Sequence, residues 1–133
     1  MIHAYWFEDN DALSLRVQDI YSTMQQRGDL LCSSLFVLSE LLVGPLKEHN
    51  FAAADAIEQF FDSDAVSMIP YARRSVRTFA ELRANHGVKA LDALHLAIAA
   101  SSGVDLFLTH DRRLHKLILP GLPFIASLDT DLF

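Results

Sequence analysis

Apolar positions recur along this chain with two periods, and they predict helices separated by short inner strands. Leu13, Val17, Ile20, Tyr21 and Met24 fall on one helical face, and Arg27-Gly28 closes that helix. Met1 to Phe7 is apolar and runs at once into Glu8-Asp9-Asn10, which reads as a helix start. Leu30-Leu31-Cys32 predicts a buried strand. Ser33-Ser34 can then cap a helix from Leu35 to Val43 that ends at Gly44-Pro45. Phe51 to Phe61 predicts an amphipathic helix with Ala53, Ile57, Phe60 and Phe61 inward, followed by a strand at Ala65 to Ile69. Tyr71 to Asn85 predicts a helix with Val76, Phe79, Ala80 and Leu82 on one side. Leu91 to Ala100 is apolar except for Asp92 and His95, so this helix is buried on most sides. Asp105 to Thr109 and Pro123 to Ala126 complete the strands. Strands joined by helical crossovers imply an α/β fold, with a mainly parallel sheet and helices on both faces.

Size and composition narrow the class. At 133 residues, with half of them apolar, the chain makes one globular domain over 1–133. A lone cysteine, Cys32, excludes an internal disulfide and fits a cytoplasmic protein. No apolar run is long enough to cross a membrane. The formal charge of −6 argues against coating nucleic acid by bulk electrostatics. A local basic patch, or a metal that supplies the positive charge, remains compatible with it.

Three carboxylates stand out. Asp92 lies at the start of the buried helix, and Asp111 lies just past the carboxyl end of the Asp105 strand. In open α/β sheets that rim is where sites form. Glu40 has Phe36, Val37, Val43 and Gly44 as its helical neighbours, which is not the company of a solvated face. Taken singly, each has a plainer explanation. Asp92 can be a helix cap, Asp111 a turn residue and Glu40 a half-exposed glutamate. Together they form an oxygen-ligand set suited to Mg2+ or Mn2+.

Three segments carry a family resemblance. They are Ser33-Ser-Leu-Phe-Val-Leu-Ser-Glu40-Leu-Leu-Val-Gly-Pro45, Leu91-Asp92-Ala-Leu-His-Leu-Ala-Ile-Ala99 and Leu108-Thr-His-Asp111-Arg-Arg-Leu114. In order and spacing they resemble the later motifs of PIN-domain ribonucleases, the family of VapC-type toxins. The resemblance implies a three-layer PIN-like fold with sheet order 3-2-1-4-5. It also implies a cluster of four acids and Mg2+- or Mn2+-dependent endoribonuclease activity. Glu40, Asp92 and Asp111 match three of those acids, as both metal ligands and catalytic residues. Thr109 matches the family's threonine beside the last one.

The front of the chain departs from the pattern. The family opens with a strand ending in an aspartate, and Ile2 to Glu8 resembles the helix start after it. The first central strand and its acid are therefore expected to be missing from this chain, in a product truncated at its N-terminus. Leu128-Asp129-Thr130 mimics the missing motif in letters, but at the wrong place in the topology.

Around the proposed centre, His95 is expected to be a packed, hydrogen-bonded core residue, and His110 a turn residue. Tyr5 and Trp6 are expected to make core or dimer contacts. Arg112 and Arg113, with His115 and Lys116, adjoin Asp111 and are candidates, with Thr109, for contacting substrate phosphates. Arg73, Arg74, Arg77 and Arg83 read as a solvated helix face. The resemblance implies an RNA substrate, a cognate antitoxin and a homodimer. A catalytically inactive PIN-like RNA- or protein-binding module is the alternative. A phosphorylatable receiver is disfavoured, for want of an early acidic pair and a matching lysine.

Overall fold

A computed structural model describes residues 3–6, 14–109, 114–117, 119 and 121–126 of the chain. Its centre is a five-stranded parallel sheet in the order β3-β2-β1-β4-β5. The strands are β1 (His3–Trp6), β2 (Leu30–Ser33), β3 (Val66–Met68), β4 (Leu106–Leu108) and β5 (Phe124–Ala126). The helices are α1 (Ser14–Arg27), α2 (Leu35–Lys47), α3 (Phe51–Asp62), α4 (Val76–His86) and α5 (Ala90–Ser101). Right-handed crossovers from a sheet of this order lay helices over both faces.

The central strand is therefore present, which corrects the expectation that this chain lacks it. His3–Trp6 lies between β2 and β4, with Tyr5 opposite Cys32 on one side and Phe107 on the other. Ala4 and Tyr5 are fully buried. Four residues that run straight into an acidic segment carry too short a pattern to separate strand from helix start. Tertiary pairing on both edges decides it.

Two further boundaries moved. Helix α2 does not end at Gly44-Pro45 but continues to Lys47. Proline removes one backbone donor and crowds the preceding turn. Here the loss falls in the last helical turn, where Pro45 is buried and its carbonyl accepts from Asn50 N at 2.8 Å. The segment expected to be helical from Tyr71 opens instead as a 3-10 turn at Arg73–Ser75. Its inward residues are Ser75 and Leu82, while Val76 and Ala80 are exposed. Helix α4 ends on Gly87 at φ 62°, a left-handed position that glycine takes at little cost, with its N–H on Leu82 O.

The arginines Arg73, Arg74, Arg77 and Arg83 are all exposed, as the sequence reading expects, and two of them make backbone contacts besides. Arg74 Nε donates to Ser101 O at 2.9 Å, and Arg83 donates to Val88 O at 3.2 Å. Both tie helix ends together, so at these two positions the cluster is more than a solvated face.

The core gathers Tyr5, Met24, Leu31, Val37, Leu96, Ile98 and Phe107 from both sides of the sheet. Tyr5 and Phe107 stack across β1 and β4, with ring centroids 5.4 Å apart and planes at 10°. No described helix is long and apolar enough to cross a membrane.

Candidate active site

In a parallel sheet all strands present their carboxyl ends to one rim. The order reverses between β1 and β4, the position outside whose carboxyl ends open α/β sheets place their sites. Glu40 and Thr109 follow the carboxyl ends of β2 and β4, and Asp92 lies in the first turn of α5. Helix α2 leaves β2 at Ser34, whose side chain caps it by accepting from Val37 N at 3.4 Å. That fixes the first turns of α2 and places Glu40 one and a half turns in.

Helix α5 starts at Ala90 and carries Asp92 in its first turn, where the helix dipole favours a carboxylate. The residue flanking the helix start is Lys89, so Asp92 is not the cap that the plainer reading allowed. Asp92 is half-buried and lines a concavity of about 160 Å³ with His86, Val88, Lys89, Leu114 and Leu117.

Glu40 and His95 meet directly: Oε1 lies 3.1 Å from His95 Nε2. The Glu40 side chain is only 19% exposed and His95 is fully buried. His95 follows Asp92 by three residues on α5, so the two share a helix face one turn apart. The partner of Glu40 thus stands one turn along α5 from Asp92.

Behind His95 a hydrogen-bonded chain runs into the core. Tyr5 Oη lies 2.8 Å from His95 Nδ1 and donates to Ser34 Oγ at 2.9 Å. Burial pushes His95 down to about 3 and pushes Tyr5 above its ordinary value, so both are neutral at physiological pH. A phenol has one proton and a neutral imidazole has one N–H, which leaves two consistent proton orders. With the phenol proton on Ser34, Nδ1 donates to Tyr5, and Nε2 faces Glu40 across a proton that the carboxyl group supplies. With Ser34 donating to Tyr5 and Tyr5 to Nδ1, Nε2–H donates to an ionised Glu40. The second order holds one proton fewer than the first and carries the ring proton on the other nitrogen, and it is the order in which Glu40 is an ionised acceptor.

The sequence reading of His95 as a hydrogen-bonded core residue holds, and Tyr5 is a core residue as expected. Their connection to Glu40 was not anticipated. The available signal was a tyrosine at an inner position, whose hydroxyl needs a buried partner.

Folding stability should follow His95. Its folded-state value lies below its ordinary 6.5, so between those values the unfolded chain binds more protons than the folded one. The stabilisation is complete above pH 6.5 and is lost as pH falls toward 3. Melting temperatures measured from pH 7 to pH 4 should drop more steeply for the wild type than for His95→Gln. Parallel curves would contradict this.

Thr109 follows β4 and is 1% exposed, with its N–H on Ala126 O at 3.0 Å and its carbonyl accepting from His115 Nε2 at 3.2 Å. Burial of this degree suits an anchor for the segment that follows better than a phosphate contact. Thr109 and Leu114 bracket the segment that carries Asp111, Arg112 and Arg113. Those three lie outside the described residues, as do His110, Glu8 to Asp11 and Leu128-Asp129-Thr130. Among the described residues no three ligand-type side chains form a metal-holding group. Cys32 is buried, and burial pushes its thiol up to about 11, so it is no nucleophile at neutral pH.

A model of the PIN domain matches residues 2–118, and the chain belongs to the PIN domain family, whose members are in general nucleases. The fold is similar to three solved assemblies. The VapBC2 structure from Rickettsia felis, bound to a DNA fragment from its promoter, gives a TM-score of 0.70 at 16% identity. That match covers 93% of this chain and 98% of the other. DNA-bound VapBC from Salmonella typhimurium gives 0.69 at 19% identity, covering 96% and 99%. VapBC-1 from nontypeable Haemophilus influenzae gives 0.69 at 16% identity, covering 98% and 100%. No match to a curated protein was found.

Proposed function

We propose that this protein is a metal-dependent endoribonuclease and the toxin of a toxin–antitoxin pair. The observation that supports this reading is the contact of Glu40 with His95, one turn along α5 from Asp92. The donor chemistry fits a hard divalent cation, because carboxylate oxygens are what Mg2+ and Mn2+ prefer. One bond from His95 occupies one of the carboxylate's roughly four acceptor sites and leaves capacity for an ion. Glu40, Asp92 and Asp111 would hold the metal. When bound it supplies Lewis-acid stabilisation at a scissile phosphate and a water that deprotonates near neutral pH. Clustered carboxylates alone would repel an RNA backbone.

The fourth acid of the family pattern does not need to come from a segment before Met1. Since β1 ends at Trp6, the acids that next follow in the chain are Glu8, Asp9 and Asp11, and one of them is our candidate for that position. Arg112 and Arg113 are the candidates for tracking the RNA backbone beside Asp111. Lys116, which is exposed, extends the basic stretch.

For partners, Leu35, Phe36, Val43 and Leu46 of α2 are all exposed, more apolar surface than one helix of a lone subunit ordinarily leaves open. We assign this face to self-association or an antitoxin. The similar structures are VapBC complexes, which supports the latter partner. The single cysteine and the fold of these relatives favour a cytoplasmic location.

The test is cleavage of a structured RNA by the purified chain, with Mn2+, with Mg2+ and with excess chelator. Cleavage in the first two and none in the third is expected. RNA binding without cleavage in any of them would favour the inactive binding module instead.

A further inference from the structure

Glu40 is held by a path that reaches across the core. Its partner His95 comes from α5, Tyr5 from the central strand, and Ser34 from the cap of the same helix that carries Glu40. The path closes on itself: Ser34 Oγ also accepts from Val37 N, one turn before Glu40 on α2. Three of its members, Tyr5, Ser34 and His95, are at most 1% exposed. A buried polar path of this kind persists only when every member is satisfied, and here each has a partner.

We propose that Tyr5 and His95 are positioning residues, which fix where the Glu40 carboxylate points and present it to a divalent ion as an acceptor. This rests on the metal-dependent reading above and adds two residues to it. His95 is no acid or base in the reaction itself, since it is fully enclosed, with Nε2 on the Glu40 carboxylate and Nδ1 on Tyr5. Its part is geometric. A glutamate has three side-chain torsions to order, and one bond to a ring locked between Tyr5 and the helix removes most of that freedom. Tyr5 in turn fixes the ring through Nδ1, just as partners behind metal-binding groups fix their orientation elsewhere. The stack of Tyr5 on Phe107 holds the phenol in place.

The experiment compares wild type, Tyr5→Phe, His95→Gln and His95→Leu. Mn2+ affinity is read by electron paramagnetic resonance titration, RNA cleavage by kcat and KM, and folding by thermal melting. Tyr5→Phe removes one hydroxyl and keeps the stack, and it should weaken Mn2+ binding about 10-fold; His95→Leu should weaken it about 10- to 100-fold. His95→Gln, which can still donate near the Nε2 position, should recover most of the loss. The cleavage defect should appear in kcat, with KM for RNA little changed, because the path touches the ion's ligand and not the substrate. A residue that merely supported the fold would lower the melting temperature without changing Mn2+ affinity of the folded protein. If His95→Leu does not fold, Tyr5→Phe and His95→Gln decide the matter. Wild type that binds Mn2+ and cleaves RNA while Tyr5→Phe binds it equally well overturns this inference alone. Wild type that binds no Mn2+ overturns the metal reading and this inference with it.

Discussion

Asp92→Asn should abolish metal-dependent RNA cleavage while leaving the fold intact. Asp92 sits in the first turn of α5, half-buried, so the amide can replace the carboxylate without opening a cavity. Losing the negative charge next to the helix dipole costs the fold only ~0.3–1 kcal/mol. The effect on chemistry is far larger. A hard cation's affinity depends on the charge count of its ligands, and with four acids or fewer each carries a large share. Removing a single group that stabilises transition-state charge typically costs ~100- to 1,000-fold in rate, and at least that is expected here. The measurement is the cleavage rate at saturating Mn2+, alongside the melting temperature. A variant that folds and cleaves at the wild-type rate removes Asp92 from the centre.

A chain beginning after Trp6 should fail to fold cooperatively. His3–Trp6 pairs with β2 on one side and β4 on the other, so deleting it leaves backbone donors and acceptors of both neighbours facing an empty slot. Each buried unmet group costs ~1–3 kcal/mol, and several are involved. The deletion also removes Tyr5, which is fully buried and stacks on Phe107. Truncating an aromatic side chain in a core costs ~3–5 kcal/mol on its own. A domain of this size is stable by ~5–15 kcal/mol, so the sum reaches or exceeds the whole. Circular dichroism of the deletion should show no sigmoidal melt, and Tyr5→Ala should melt well below wild type but cooperatively. A cooperative melt of the deletion at wild-type temperature would mean that another segment takes the central position.

This strand also marks where the sequence stopped being legible. The longer patterns, α1 through Met24, α3 through Phe61 and α5 through Ala100, could be read because many apolar positions repeat on one face. With only four residues, His3–Trp6 has no such repetition, and its identity comes from the two strands it pairs with. Pro45 misled for a related reason. A proline is a reliable stop in an isolated helix, but here burial and the Asn50 bond to its carbonyl carry the chain one turn further. In the 3-10 turn before α4, Ser75 faces inward and bonds Ser101 Oγ at 2.8 Å, which no count of apolar residues can reveal.

The candidate site divides in the same way. Glu40 and Asp92 could be singled out by their apolar company and by motif order. How they relate in space needed the fold, because 52 positions separate them in the chain and Glu40 meets His95, one turn along α5 from Asp92. Tyr5 was read correctly as core, but its hydroxyl has a direction, and direction is a property of the assembled rim.

The central claim is that Glu40, Asp92 and Asp111 share one divalent ion. Crystals of the full chain grown or soaked with Mn2+ and measured near the manganese absorption edge test it most directly. The account predicts an anomalous peak with carboxylate oxygens of all three residues, directly or through a bound water, at metal–oxygen distances of ~2.0–2.6 Å for direct ligands. An acid from Glu8, Asp9 or Asp11 is expected to complete the set. A peak elsewhere on the molecule, with Glu40 and Asp92 turned away from it, would contradict the account.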